Sequence, residues 1–307
     1  MIVTVTFNPA VDHTIQVDAM PAPGAVARTD RAQFDAGGKG INVSQYLTGL
    51  GADTVATGLV GDFLGEYIRS ELDDAEIPAD LVEIDGKTRL NTTILSDDGE
   101  FKINHDGPTV GAAVVDDAID AIERHDPEMC LVAGSLPPGL GPGAIDRIAR
   151  AGEWDAVVDV GGATLQELDA DYALCKPNWE ELAAAVDRPV ETVEDCLLAA
   201  DALRERGFER VVASLGADGA LLASPDALVH AAALDVEVAD TVGAGDAMLA
   251  GVLSELVDEG DERAALRRGV AVASRVVANT GTTVPSFAEL DAAADRVELT
   301  DYSSLRE

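Results

Sequence analysis

Asp240-Thr241-Val242-Gly243-Ala244-Gly245-Asp246-Ala247-Met248 is the stretch that organises the chain. Gly243 and Gly245 let the backbone turn tightly and come close to a ligand. The amphipathic run 247–256 follows at once and reads as a helix. The backbone N–H groups of Gly243, Ala244 and Gly245 then stand at a helix N-terminus, where orphan donors and the dipole favour an anion. Asp246 does not suit a purely binding loop, because its carboxylate would repel a phosphate. It suits a base that takes a proton from an attacking hydroxyl, beside amides that hold the phosphoryl group under attack. An ordinary helix start with Asp in its first turn accounts for the same residues, so the decision rests on the rest of the chain.

Outward from that stretch, strand and helix patterns alternate. Strands are predicted at 2–7, 53–60, 129–133, 156–160, 173–176, 210–214 and 220–223. Helices are predicted from the Gly37-Gly38-Lys39 turn to residue 50, and at 63–75, 114–124, 144–151, 180–185 and 193–206. Three more close the chain, at 247–258, 262–279 and 286–297. Such alternation predicts a mostly parallel sheet covered on both faces, with ligands beyond the C-terminal ends of its strands. Polar-faced strands at 12–17, 28–36, 88–96 and 100–104 do not fit that sheet; Asp97-Asp98-Gly99 is a hairpin turn between the last two. They predict a small second sheet, a discontinuous lid at about 12–36 and 87–105 on one domain spanning 1–307.

The composition narrows the class. Formal net charge is −36 and hydrophobic content 47%, ample for a core. Nucleic acid is excluded as a partner, since binding it needs Lys and Arg facing phosphate. Dense surface carboxylate is tolerable where salt screens it, so a protein suited to a very salty cytoplasm is expected. Lys39, Lys87, Lys102 and Lys176 are the only lysines; in a chain that has shed the rest, Lys39 and Lys176 are expected to have tasks. Cys130, Cys175 and Cys196 have no metal-type spacing and read as buried thiols. No basic region precedes the short apolar start and no apolar run is long enough to span a membrane, so a cytoplasmic location is expected.

Polar groups on the loops fall into two sets. The early set is Asp12, the Gly37-Gly38-Lys39 turn, Asn42, Arg89 and Asn91. A carboxylate and amides suit sugar hydroxyls, and Lys39 with Arg89 suits a phosphate on that sugar. The turn is not a Walker A loop, because no Ser or Thr follows the lysine. The late set begins with Lys176-Pro177-Asn178-Trp179-Glu180-Glu181. Asn178 and Glu181 are three apart and suit Mg²⁺ held largely through water. Ser214-Leu215-Gly216-Ala217-Asp218-Gly219 follows a strand, and its glycines can expose N–H groups to a polyphosphate; a plain β-turn reads the same way. Asn279-Thr280-Gly281 ends a helix, where a C-cap is the simpler role. Ser135 lacks the Gly-x-Ser-x-Gly spacing of a hydrolase nucleophile, so loop geometry is its expected role.

Taken together, these motifs resemble the ribokinase/PfkB family of sugar kinases, in particular its 1-phosphofructokinase branch. The resemblance runs nearly end to end. It is carried by Val5-Thr6-Phe7-Asn8-Pro9-Ala10-Val11-Asp12, Gly37-Gly38-Lys39-Gly40-Ile41-Asn42-Val43, Thr88-Arg89-Leu90-Asn91, Gly134-Ser135-Leu136-Pro137-Pro138-Gly139, Lys176-Pro177-Asn178, Ser214-Leu215-Gly216 and the opening stretch. Leu90 stands where Ile is commoner. The resemblance implies a ribokinase-like three-layer α/β sandwich with a β lid. It implies Asp246 as base, Gly243 to Gly245 as anion hole, and Asp12, Gly38 and Asn42 as sugar contacts. Asn178 and Glu181 match its Mg²⁺ and phosphate motif. Ser214, Gly216, Ala217 and Gly219 match its nucleotide loop, with Lys176, Gly245 and Asn279 in the same set. The implied reaction is ATP-dependent phosphorylation of fructose 1-phosphate at C6. Lys39 separates the chain from the 6-phosphofructokinase branch, leaving tagatose-6-phosphate kinase as the nearest rival and a non-catalytic sugar-phosphate sensor as the alternative of another class. The resemblance also implies a homodimer through the lid.

Overall fold

The computed structural model describes residues 1–186, 189–257, 260–279 and 284–306. Its frame is a ten-stranded sheet. From edge to edge the strands are Leu299–Asp301, Leu228–Ala231, Ala220–Ala223, Phe208–Ser214, Tyr172–Cys175, Asp155–Asp159, Met129–Ala133, Ile2–Thr6, Thr54–Val60 and Val82–Glu83. Pairing is parallel from Val82–Glu83 through to Phe208–Ser214 and antiparallel over the last three strands.

The apolar strands explain the layers. Every residue of Ile2–Thr6, Thr54–Val60 and Met129–Ala133 is buried, as expected of strands covered on both faces. Val3 and Val5 face one core, with Val115, Ile145 and Leu197 from helices on that side. Ile2 faces the other, with Leu47, Leu249 and Val272. Each such side chain, fully buried, contributes about 1.5–3 kcal/mol. The outcome is the three-layer sandwich expected from the sequence. No helix among the described residues is long and apolar enough to cross a membrane.

A separate four-stranded sheet pairs Ala32–Gly37, Ala10–Gln16, Arg89–Ser96 and Gly99–Asn104. Its register places Asp12 opposite both Asp35 and Asn91 on one face. The alternate residues, including Phe34 and Ile103, occupy the other face.

Four differences from the sequence reading have physical causes. The helix expected from 247 starts at Ala244, because Gly243 takes a left-handed conformation (φ 77°) and lets the next residue enter the helix. The helix expected at 286–297 shrinks to Leu290–Ala294, since Glu289 just before it sits at φ 59°. The helix Gly162–Gln166 is a single short turn after two glycines and carries little periodicity. Strands Val82–Glu83, Leu228–Ala231 and Leu299–Asp301 are too short to show alternation. Asp258, Thr280 and Gly281 lie outside the described residues.

Candidate active site

Because the central strands are parallel, their C-terminal ends share one edge. Asp159 and Ser214 end their strands there, and Lys176 follows Tyr172–Cys175. Helices Lys39–Gly49 and Ala244–Leu256 bring their N-termini to the same place.

Gly243 makes the turn into Ala244–Leu256, where a side chain would be strained. Its φ is left-handed, and a Cβ there would lie 2.7 Å from the Tyr46 hydroxyl. Ala244, Gly245 and Asp246 form the first helical turn; the Ala244 N–H donates to Thr241 O at 3.3 Å, which leaves the amides of Gly243 and Gly245 beside the carboxylate. Asp246 is only 8% exposed. Burial, reinforced by the nearby charge of Asp159, raises its pKa to about 6, against the pull of the Asn42 amide and of Lys176 and Lys39. Asn42 Nδ2 donates to Asp246 Oδ2 at 2.8 Å.

The two lysines of interest meet. Lys39 Nζ donates to Asp159 Oδ1 at 2.7 Å, and Lys176 Nζ lies 3.2 Å from Asp159 Oδ2. Burial works against the Lys39 charge, but Asp159 outweighs it and holds the Lys39 pKa above its ordinary value. The glycine turn leads from Lys39 to Asp12. A Cβ on Gly37 would lie 2.0 Å from Asp12 Oδ2, so only glycine leaves room for that carboxylate. Burial raises the Asp12 pKa, and Asn91 Nδ2 donates to its Oδ1 at 2.8 Å. Arg89 is braced from below, with Nε donating to Asn8 O at 3.0 Å. Asn8 Nδ2 also donates to the Ser135 hydroxyl at 3.3 Å, the loop role expected of that serine.

On the far side of Asp246 opens a cavity of 970 Å³. Asn178, Ser214, Gly216, Ala217, Gly219, Ala244 and Gly245 line it, together with an apolar wall of Leu234, Val236, Val238, Val270 and Ala273. Its shape and mixed lining suit a nucleotide. Lys176 is buried beneath it, near enough that a Cβ on Gly245 would stand 3.6 Å from its Nζ. Asn178 and Glu181 form a capping box: Asn178 Oδ1 accepts from Glu181 N at 2.8 Å, and Glu181 Oε2 accepts from Asn178 N at 2.9 Å. The Glu181 capping bond uses one carboxylate oxygen, and the second is a hard oxygen of the kind that could hold Mg²⁺ through water. Among the described residues no group of three or more His, Cys, Asp or Glu side chains gathers as a metal site. Asn279 is not among the described residues lining the cavity; its Nδ2 donates to Arg275 O at 2.6 Å, a C-cap contact.

Sequence reasoning missed Asp159, Tyr46 and the apolar wall. Asp159 carried one signal, a carboxylate closing the apolar run 156–160 before Gly161-Gly162. Val236 and Val238 lie in a segment without regular structure, so no periodicity pointed to them.

Residues 5–288 match the pfkB family carbohydrate kinases. The chain is 52% identical over 300 residues to a 1-phosphofructokinase of Haloferax volcanii, covering 98% of each. It is 34% identical to a D-tagatose-1-phosphate kinase of Bacillus licheniformis, covering 98% of this chain and 99% of that one. Among solved structures, phosphofructokinase-2 of Escherichia coli in complex with potassium superposes with a TM-score of 0.88 at 27% identity, over 96% of this chain and 98% of that one. A family match over most of the length, joined to a buried carboxylate at a glycine-turn helix N-terminus, settles the family: the chain belongs to the pfkB family of carbohydrate kinases.

Proposed function

We propose that the chain transfers the γ-phosphoryl group of ATP to the C6 hydroxyl of fructose 1-phosphate, giving fructose 1,6-bisphosphate and ADP. The observation that carries this reading is the position of Asp246. Asn42, on the helix that opens from the glycine turn beside Asp12, bonds it from one side, and the neighbours of Asp246 on its own helix, Ala244 and Gly245, line the 970 Å³ cavity. The choice of sugar phosphate follows the Haloferax relative.

In this reading Asp12 and Asn91 take sugar hydroxyls, while Lys39 and Arg89 supply charge for the 1-phosphate. Asp246 accepts the C6 proton as the oxygen attacks phosphorus; the bond to the β-phosphate oxygen breaks and its electrons leave with ADP. The N–H groups of Gly243 and Gly245 and the ammonium of Lys176 meet the charge that develops. Asn178 and Glu181 would hold the magnesium of the ATP complex, largely through water, and the ion would supply neutralisation of phosphate charge. The small sheet acts as a lid that excludes competing water. A soluble sugar phosphate and ATP place the reaction in the cytoplasm, and the charge of −36 suits a cytoplasm rich in salt.

ADP formation with fructose 1-phosphate, fructose 6-phosphate, tagatose 1-phosphate and tagatose 6-phosphate tests the reading. Fructose 1-phosphate should give the highest kcat/KM. The Bacillus relative favours D-tagatose 1-phosphate as a second acceptor, differing only at C4. No ATP consumption with any of the four would leave a sensor.

Gly37→Ala should leave the fold intact and swing Asp12 away. We expect KM for the sugar phosphate to rise roughly tenfold, the loss of one charge-assisted contact, with KM for ATP unchanged. Equal changes in both would mean that Asp12 does not serve the sugar.

The lid also supplies a dimer surface. Phe34, Phe101 and Ile103 share the face opposite Asp12 and remain 40–60% exposed. A second lid would cover them. Sedimentation should give a dimer at micromolar concentration, and Ile103→Glu should give monomers.

A further inference from the structure

Asp159 is a charged side chain of the site with no task so far. It ends strand Asp155–Asp159, and its side chain is wholly buried. Such a carboxylate is costly unless cations meet it. Two do, and they come from opposite halves of the site. Lys39 belongs to the glycine turn beside Asp12; Lys176 belongs to the loop that leads into the nucleotide cavity. The other two lysines, Lys87 and Lys102, pair with Asp62 and Glu100 on the surface.

We propose that Asp159 is a positioning residue that holds the Lys39 and Lys176 ammonium groups at a fixed separation across the path of the phosphoryl group, so that one carboxylate brings sugar phosphate and nucleotide into register. The proposal rests on the kinase reading but not on which sugar phosphate is the acceptor. An ammonium on a four-carbon stem has wide rotamer freedom. A shared buried counter-ion removes that freedom before the substrates arrive, which is where positioning gains its rate. Lys39 donates one of its three N–H bonds to Asp159, and Lys176 meets it as an ion pair, so donors of both ammonium groups remain for phosphate. Asp246 is faced by Asp159, Lys176 and Lys39, by the Asn42 amide, and by Tyr46, which also senses Asp240. Removing the Asp159 charge therefore also makes the base easier to ionise.

Asp159→Asn tests this. KM for the sugar phosphate and the calorimetric Kd for ATP, measured without magnesium, should both rise about tenfold. The acid limb of the kcat profile should move to lower pH. Asp159→Glu keeps the charge but changes its reach, so it should weaken both substrates and leave the acid limb in place. The proposal is overturned if only one substrate is affected. It is also overturned if ATP weakens only when magnesium is present, which would put the carboxylate on the metal. Should Asp159→Asn fail to fold, Lys176→Met decides. With its second cation gone, Asp159 draws Lys39 in, and KM for the sugar phosphate should rise about threefold; no change refutes the coupling. A wild-type protein that phosphorylates another sugar phosphate and not fructose 1-phosphate, while Asp159→Asn weakens both that acceptor and ATP, would sink the substrate assignment and leave this proposal standing.

Discussion

Asp246→Asn is expected to lower kcat by roughly 10²- to 10⁴-fold, the usual loss when a general base is removed. ATP should bind at least as tightly as before, since the carboxylate contributes repulsion and not attraction to a phosphate. Asn can still accept the Asn42 hydrogen bond through its amide oxygen, so the turn has no reason to move. The same variant should be more stable than the wild type at neutral pH. The sign follows from linkage. Burial raises the folded-state pKa of Asp246 from 3.8 to about 6, so the folded protein holds this proton more tightly than the unfolded chain. Ionisation of this group therefore opposes folding, fully above about pH 6, and the penalty disappears as pH falls towards 4. Removing the charge should return on the order of 1–3 kcal/mol at pH 7.5 and almost nothing at pH 4. Turnover in the wild type should decline below about pH 6, as the base takes its proton. Near-normal kcat in Asp246→Asn would remove the base assignment. A melting temperature equal to wild type at both pH values would remove the electrostatic account of it.

The opposite fates of Asp246 and Asp159 show what was legible in the sequence. Asp246 was readable because its neighbours Gly243 and Gly245 announced a turn and 247–256 announced a helix. The stretch therefore carried its own local geometry. The small sheet was readable for a similar reason: its strands have polar alternation that no doubly covered strand shows. Asp159 has no such local context. Its meaning lies in Lys39 and Lys176, which are 120 and 17 positions away and meet it only when strands Asp155–Asp159 and Tyr172–Cys175 pair in register and helix Lys39–Gly49 docks beside them. Asn178 and Glu181 show a third case. Their spacing was read as a shared ligand face, and the same spacing also makes a capping box; local pattern alone does not separate the two. The wall of the nucleotide cavity was out of reach, because Leu234, Val236 and Val238 line it from a segment with no periodic structure.

Raising potassium chloride from dilute buffer to 2 M should raise Tm markedly, and the cause is charge held on a compact surface. The chain carries 57 acidic residues against 21 lysines and arginines, an excess of 36. Many of the cations are already committed: Arg204 and Arg306 both pair with Asp201, Arg124 with Asp80, Arg210 with Glu262, and Lys39 and Lys176 with Asp159. The remaining carboxylates face one another across water. Screening shortens from about 8 Å at physiological ionic strength to about 3 Å at 1 M, less than the spacing of most surface carboxylates. Unfolding spreads the same charge over a larger volume, so dilution favours the unfolded chain. Relief of several kcal/mol would move Tm by roughly 5–10 °C in a chain of this size. Salt also strengthens apolar burial when its anion is excluded from the surface, and a second salt separates the two causes. If screening dominates, potassium chloride and potassium sulfate should stabilise alike at equal ionic strength; if burial dominates, sulfate should win clearly. Replacing a block of exposed acids with lysine should then flatten the screening part of the response to both salts, leaving only whatever excess sulfate shows through apolar burial. A Tm that stays level or falls between dilute buffer and 2 M potassium chloride would rule out repulsion as a controlling term in this fold.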